Sequence, residues 1–181
     1  KPSLHPYRQY SYFSGQRIAC WAELLKIERM NKAGIDLITS FEGFRPKPYY
    51  CPAGIISIGY GTTRYPDGLK VQMTDPPVTI EKAIQYLLND VAASEDHILK
   101  VVTKQLNENQ LSALTSFVYN CGIGNFDRST LLKRINSNPD NPNIREQFLK
   151  WKYANVNGKP TIMPGLVRRR TVEANLYFTK L

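Results

Sequence analysis

The stretch Ser40-Phe41-Glu42-Gly43-Phe44, continued by Tyr49-Tyr50-Cys51-Pro52-Ala53-Gly54 and Ser57-Ile58-Gly59-Tyr60-Gly61-Thr62, decides how this 181-residue chain is read. Before it, Ile35, Ile38 and Glu42 fall at i, i+3 and i+7, one face of a helix that starts near Asn31, and Gly43 is a natural residue for ending it. After it, Tyr49-Tyr50 and Ile55-Ile56-Ser57-Ile58 flank a Pro52-Ala53-Gly54 turn, which predicts a β-hairpin. Glu42 therefore occupies the last turn of a helix while continuing that helix's apolar stripe. Burial and the negative end of the helix dipole both disfavour a carboxylate there, so a raised pKa is expected. A carboxylic acid still protonated near neutral pH is what protonation of a leaving oxygen requires. From this fragment alone, a solvated helix-end glutamate is the more economical reading.

Working outward, Ile18, Trp21, Ala22 and Leu25 predict an amphipathic helix from about Gln16 to Met30. Gly, Pro and Asp residues between Gly59 and Pro77 predict loops. Thr79 is a candidate N-cap for a long helix carrying Ile80, Ile84, Leu87, Leu88, Val91 and Ile98. Asn107 and Gln110 have capping-box spacing ahead of Leu111, Leu114, Phe117 and Val118, whose apolar content suggests a central helix. Shorter helices are expected from Ser129 to about Ile135 and from Asn143 to about Trp151, then a turn at Asn157-Gly158. A last helix after Pro164 places Val167, Arg170, Ala174 and Tyr177 on one face. Arg170 should accordingly turn inward and pair with Glu42 or another buried acid, whereas Arg168 and Arg169 fit a solvated surface run equally well. The fold class is α+β: a small β-containing lobe set among many helices.

With 42% apolar and 22% charged residues the chain has the balance of a globular protein, long enough to need no disulfide framework or structural metal. No apolar run approaches the roughly 18 residues that span a bilayer. Lys1 to Phe13 lacks the apolar run of a signal peptide, and the absence of an initial Met raises the expectation that something upstream was processed. The formal charge of +9 points to an anionic partner, with nucleic acid, acidic membranes and bacterial wall polymers all admissible. Between Arg128 and Arg170 ten basic residues face only Asp140 and Glu146, so the C-terminal part carries most of the field. Cys20, Cys51 and Cys121 lack zinc-site spacing, and His5 and His97 stand apart, both expected at the surface. No metal and no cofactor are expected. Cys121, at the end of an apolar helix, is expected to be a small buried thiol.

The segment from Ser40 to Thr62 resembles the active-site hairpin of bacteriophage-type lysozymes, glycoside hydrolase family 24, whose members carry Glu, eight residues, Asp or Cys, five residues, Thr. At the same spacing this chain has Glu42, Cys51 and Ser57. The blocks Ala113 to Gly122, Ser129 to Leu132 and Pro164 to Arg170 resemble successive blocks of phage endolysins, in order. The resemblance covers about Asn31 to Leu181, giving residues 1–30 as an N-terminal extension and 31–181 as a muramidase domain. It implies a lysozyme-like fold with a hairpin-bearing lobe and a helical lobe bordering a cleft. It further implies peptidoglycan as substrate, cut at the β-1,4 bond between N-acetylmuramic acid and N-acetylglucosamine, in the periplasm or wall of the target bacterium.

By that resemblance Glu42 takes the acid position, Cys51 the position of an activating or stabilising Asp, and Ser57 that of a water-placing Thr. A thiol titrates near pH 8.5 against about 3.9 for Asp, which leaves base, nucleophile and water-holding roles all open for Cys51. Ser57 keeps the hydroxyl and loses a methyl, hence a looser rotamer. An inverting route is the preference the resemblance gives. The competing reading is a catalytically weakened wall-binding or scaffolding module on the same fold. Nucleic-acid binding has only the charge behind it, and none is expected. Lys133, Arg134, Lys150 and Lys152, with Arg168 and Arg169, would favour approach to anionic wall or outer-membrane polymers; a monomer is expected.

Overall fold

The computed structural model describes residues 29–51 and 54–180. The helix expected over Gln16 to Met30, with Cys20 and His5, lies outside those residues but for its last two positions.

Helix α1 (Lys32–Glu42) starts where Asn31 accepts a hydrogen bond from the Gly34 backbone, and it ends at Gly43, whose φ of 71° a residue with a Cβ rarely adopts. The helix is fixed in space at its N-cap: the Asn31 side chain donates to Asn109 Oδ1 (2.8 Å), and its backbone N–H donates to Ser112 Oγ (3.0 Å). Strands β1 (Arg45–Tyr50) and β2 (Ile56–Gly59) form the expected antiparallel hairpin, with Tyr49 opposite Ser57 and Tyr50 opposite Ile56. The ladder is irregular between Arg45 and Tyr49, where Pro46 and Pro48 have no N–H to give it. A tight turn follows, closed by Ile58 N–H to Thr62 O (2.9 Å) and Thr62 N–H to Ile58 O (3.1 Å).

Helix α2 (Ile80–Val101), capped by Thr79, runs from one lobe to the other. Its Ala83, Leu87 and Val91 join Leu37, Ile38 and Tyr60 in the core of the hairpin lobe, while Ile98 joins the larger helical core. Its buried stripe differs from the expected one, because Ile80 and Leu88 remain 49% and 40% exposed and Ala83 takes the inward place. At Gly59 an added Cβ would lie 2.8 Å from the Ala83 Cβ, so these two small residues set how closely hairpin and helix approach.

Helix α3 (Glu108–Cys121) has the predicted capping box and is buried without interruption from Asn109 to Val118. Around it pack α4 (Ile123–Asp127), which sequence patterning missed, then α5 (Thr130–Ser137), α6 (Ile144–Leu149) and α7 (Pro164–Tyr177). Phe117 lies at the centre, edge-on to Phe148 and Trp151 with ring centroids 5.5 Å away in each case. Full burial of each such aromatic side chain contributes about 1.5–3 kcal/mol. The Asn157-Gly158 turn joins a second hairpin, β3 (Tyr153–Val156) with β4 (Lys159–Ile162). Its strands are almost wholly exposed, so they lack the in-out alternation by which a strand is recognised. His97 is less superficial than expected: its side chain is 20% exposed, and its Nε2 lies 2.6 Å from Asp127 Oδ1.

Candidate active site

The last turn of α1 presents Glu42, 28% exposed, with Oε1 accepting a hydrogen bond from Arg169 Nη1 at 2.8 Å. Among the described residues Oε2 accepts none. Arg169 comes from α7 and is itself held inside the protein: its Nε lies 3.3 Å from Glu173 Oε1, and its Nη2 faces Ser116 Oγ at 3.4 Å. Ser116 Oγ in turn donates to Glu173 Oε1 at 2.7 Å. The guanidinium also stands 5.5 Å from the centre of the Phe41 ring. The apolar setting expected for Glu42 is thus corrected: its immediate partner is a cation.

Arg170 turns inward and is fully buried, and of the two partners expected it is another buried acid, Glu173, that it meets, with Nε 3.2 Å from Oε2. Its remaining donors go to Asn120 Oδ1 (2.5 Å) and Cys121 Sγ (3.0 Å), and its guanidinium lies 4.9 Å from the Phe117 ring centre. The surface reading of Arg169 is overturned, because this residue is only 4% exposed. Glu173 stands four residues after Arg169 and three after Arg170, spacings that put it within reach of both on one helix. That spacing is the signal the sequence carried for Arg169. Burial pushes the Glu173 carboxyl up, while the two guanidiniums and the Ser116 hydroxyl oppose that rise. Burial likewise raises the Cys121 thiol, which is half-buried.

The hairpin that follows α1 carries the other two candidate residues. Cys51 sits at its tip, half-buried, with its N–H donating to Ile55 O (2.9 Å) and its carbonyl accepting from Gly54 N–H (2.8 Å). Ser57 is 1% exposed, and its hydroxyl donates to Ile55 O at 3.4 Å. Tyr49 opposes Ser57 in the ladder, and its phenol is raised first by burial and further by Cys51 and Glu42, with the Arg45 guanidinium, 4.5 Å from its ring centre, opposing. Tyr119, on α3, is raised by burial, then by Glu42 and Asp90, against Arg169. The negative charge of Glu42 thus acts on both Tyr49 and Tyr119, after burial, which is the larger cause in each case. Sequence reasoning missed Tyr119, since a tyrosine on an apolar helix looks like core. It also missed Asp90, whose Oδ2 accepts from the buried Thr62 hydroxyl at 2.6 Å and pins the end of the β2 turn to α2.

Among the described residues no group of His, Cys, Asp or Glu is placed to hold a metal ion. No helix described is long and apolar enough to cross a membrane. A partly exposed carboxylate held by a buried guanidinium can exchange a proton with solvent, and the hairpin that follows it in the chain carries a half-buried thiol and a buried hydroxyl.

Residues 39–173, which include Glu42, Cys51, Ser57 and Arg169, match the family described as phage lysozyme. The chain belongs to the phage lysozyme family. An endolysin of Acyrthosiphon pisum secondary endosymbiont phage 1 is 36% identical over 148 residues, spanning 82% of this chain and 97% of that protein. Among solved structures, the endolysin of Escherichia coli O157:H7 phage FAHEc1 superposes with a TM-score of 0.76 at 37% identity, covering 83% of this chain and 93% of that one. The muramidase domain of SpmX from Asticaccaulis excentricus gives a TM-score of 0.73 at 31% identity, over 84% of this chain and 99% of that domain. The α+β architecture is accordingly the lysozyme-like fold of phage endolysins, with the hairpin lobe and the helical lobe joined by α2.

Proposed function

We propose that Glu42 is the general acid of a muramidase, donating its proton to the bridging oxygen of peptidoglycan while the Cys51 and Ser57 side of the hairpin holds the attacking water. The chain is a peptidoglycan hydrolase, a glycoside hydrolase that lyses bacterial cell walls. The wall-binding or scaffolding alternative is not favoured. The observation supporting the acid assignment is the state of Glu42 itself: it is neither freely hydrated nor sealed in, and one carboxylate oxygen is engaged by Arg169 while the other accepts no bond from a described residue.

Arg169 fixes the direction in which the carboxyl points, and Glu173 and Ser116 fix Arg169. Reprotonation from solvent after each turnover is open to a side chain that keeps 28% of its surface. Cys51 acts from the opposite side of the cleaved bond, and the buried Ser57 hydroxyl steadies the Ile55 carbonyl that the Cys51 N–H also bonds; the inverting route is the one that the resemblance to bacteriophage-type lysozymes gives. The enzyme works as a monomer at the bacterial wall, and basic residues such as Lys133, Arg134, Lys150 and Lys152 draw it to anionic polymers there, a contribution salt should weaken. Nucleic acid is no part of this reading.

Turbidity clearance of purified peptidoglycan tests the assignment. Glu42→Gln keeps an acceptor for Arg169 but has no proton to give, so clearance should fall by about 10²–10⁴-fold, the usual worth of a general acid. Clearance that survives the substitution would reject Glu42 as the acid. Mass analysis of the products should show hydrated rather than anhydro sugar ends.

A further inference from the structure

Outside the Glu42 site, the loop after the hairpin and the first half of α2 enclose an open depression of about 640 Å³. Its walls are the rings of Tyr65 and Tyr86, the rings of Pro76 and Pro77, and the polar ends of Asp75 and Lys82. Glu42, Cys51 and Ser57 do not line it. The volume falls within the roughly 300–1,000 Å³ of small-ligand sites.

Three features say what such a surface suits. First, its aromatic wall is held still. The Tyr65 hydroxyl donates to Asp75 Oδ2 at 2.7 Å, the same oxygen accepts the Gln72 N–H at 2.7 Å, and the Tyr65 and Tyr86 rings meet at 5.2 Å and 58°. The Tyr65–Asp75 bond also pushes the Tyr65 phenol up, after burial itself, so this hydroxyl remains a donor across the physiological range. A fixed, half-buried ring loses little side-chain entropy when a ligand lies against it. Second, Lys82 Nζ lies 5.3 Å from the centre of the Tyr86 ring and belongs to an exposed side chain, so it can donate to a ligand resting on that ring. Third, the charge is wrong for an acidic polymer: in a chain of +9, this depression carries Asp67 and Asp75 against Lys82 alone. Flat apolar rings beside hydroxyl-binding carboxylates, with no excess of positive charge, match an uncharged sugar ring, which has one apolar face and a rim of hydroxyls.

We infer that the Tyr65–Tyr86 depression is a second carbohydrate site, binding N-acetylated sugars of the wall glycan away from the bond being cut. The inference rests on the peptidoglycan hydrolase reading. Such a site raises the local concentration of enzyme on an insoluble polymer, because a second contact on the same strand is effectively intramolecular. It gives no advantage on a short fragment that fills only the cleft.

The test uses the whole chain carrying Glu42→Gln, titrated with chitotetraose and observed by ¹H–¹⁵N NMR. Amides of residues 63–86 should shift as a set separate from those near Glu42 and Ser57, and adding Tyr86→Ala should abolish the first set only. In the otherwise wild-type chain, Tyr86→Ala should slow solubilisation of insoluble sacculi about five-fold and leave the hydrolysis of short soluble glycan fragments unchanged. Lys82→Ala, an exposed change that keeps both rings, should slow sacculi two-fold or more with the same indifference on fragments. No shifts at 63–86 at millimolar sugar, shifts produced by a stem peptide and not by the sugar, or equal loss on sacculi and fragments would each overturn the inference. A wild-type chain that cuts neither substrate would instead reject the hydrolase reading, and the NMR titration would still decide the sugar site.

Discussion

Glu173→Gln isolates the buried cluster on which the orientation of Glu42 depends. In the folded protein Glu173 has no exposed surface, Arg169 keeps 5% of its side-chain surface and Arg170 none. Glutamine preserves shape and can still accept from Ser116, but it removes the negative charge facing two guanidiniums at 3.3 and 3.2 Å. Breaking one side of a buried ion pair costs about 3–5 kcal/mol, because the orphaned charge stays behind. Arg169 retains Glu42, and Arg170 retains Asn120 and Cys121, so the lower half of that range is expected. At about 2–4 °C per kcal/mol for a chain of this length, Tm should fall by roughly 6–16 °C. Thermal unfolding followed by circular dichroism at neutral pH measures it, with Glu146→Gln, an exposed change, as the control that should move stability by less than about 0.5 kcal/mol. A Tm drop no larger than the control's would mean that Glu173 carries its own proton in the folded state and that the cluster does not depend on its charge.

Arg169→Met should leave Glu42 without its guide and lower kcat more than it raises KM on soluble glycan fragments, since the loss lies in placing the acid; an effect confined to KM would contradict that. Cys51→Asp should retain clearing activity, and Cys51→Ala should reduce it without abolishing it if the sulfur holds water; full activity of the alanine variant would make the thiol dispensable. Burial raises the Asp90 carboxyl above its ordinary 3.8, and the Thr62 hydrogen bond only partly offsets this. The stability Asp90 contributes is therefore complete below that ordinary value and lost as pH rises through the higher folded one, so the Tm of Asp90→Asn should gain on wild type between about pH 3 and pH 7. A difference that stays constant with pH would refute it. Gly59→Ala should cost about 1–3 kcal/mol by chemical denaturation, because its φ is +66° and the new methyl would meet Ala83.

The sequence shows the local features well where one residue type settles them. Thr79 and Asn107 cap the helices their side chains predicted, and Gly43 ends α1. The hairpin bearing Cys51 and Ser57 is equally plain from its turn residues and apolar runs. What stayed hidden required knowing which faces meet. The direction of Arg169 depends on Phe41, Ser116 and Glu42, which arrive from two other helices, and a run of three arginines offers no local sign of which members leave the solvent. Tyr119 and Asp90 were missed for the same reason, and β3–β4 because an exposed hairpin has no buried face to imprint a pattern.

The partner of Glu42 lies 127 residues further along the chain. A ribosome therefore finishes the hairpin and the proposed acid long before it supplies the cation bonded to that acid, and a product cut short ahead of Pro164 has the carboxyl without its guanidinium. For a protein whose work is to dissolve a cell wall, potency waits on the helix that brings Arg169.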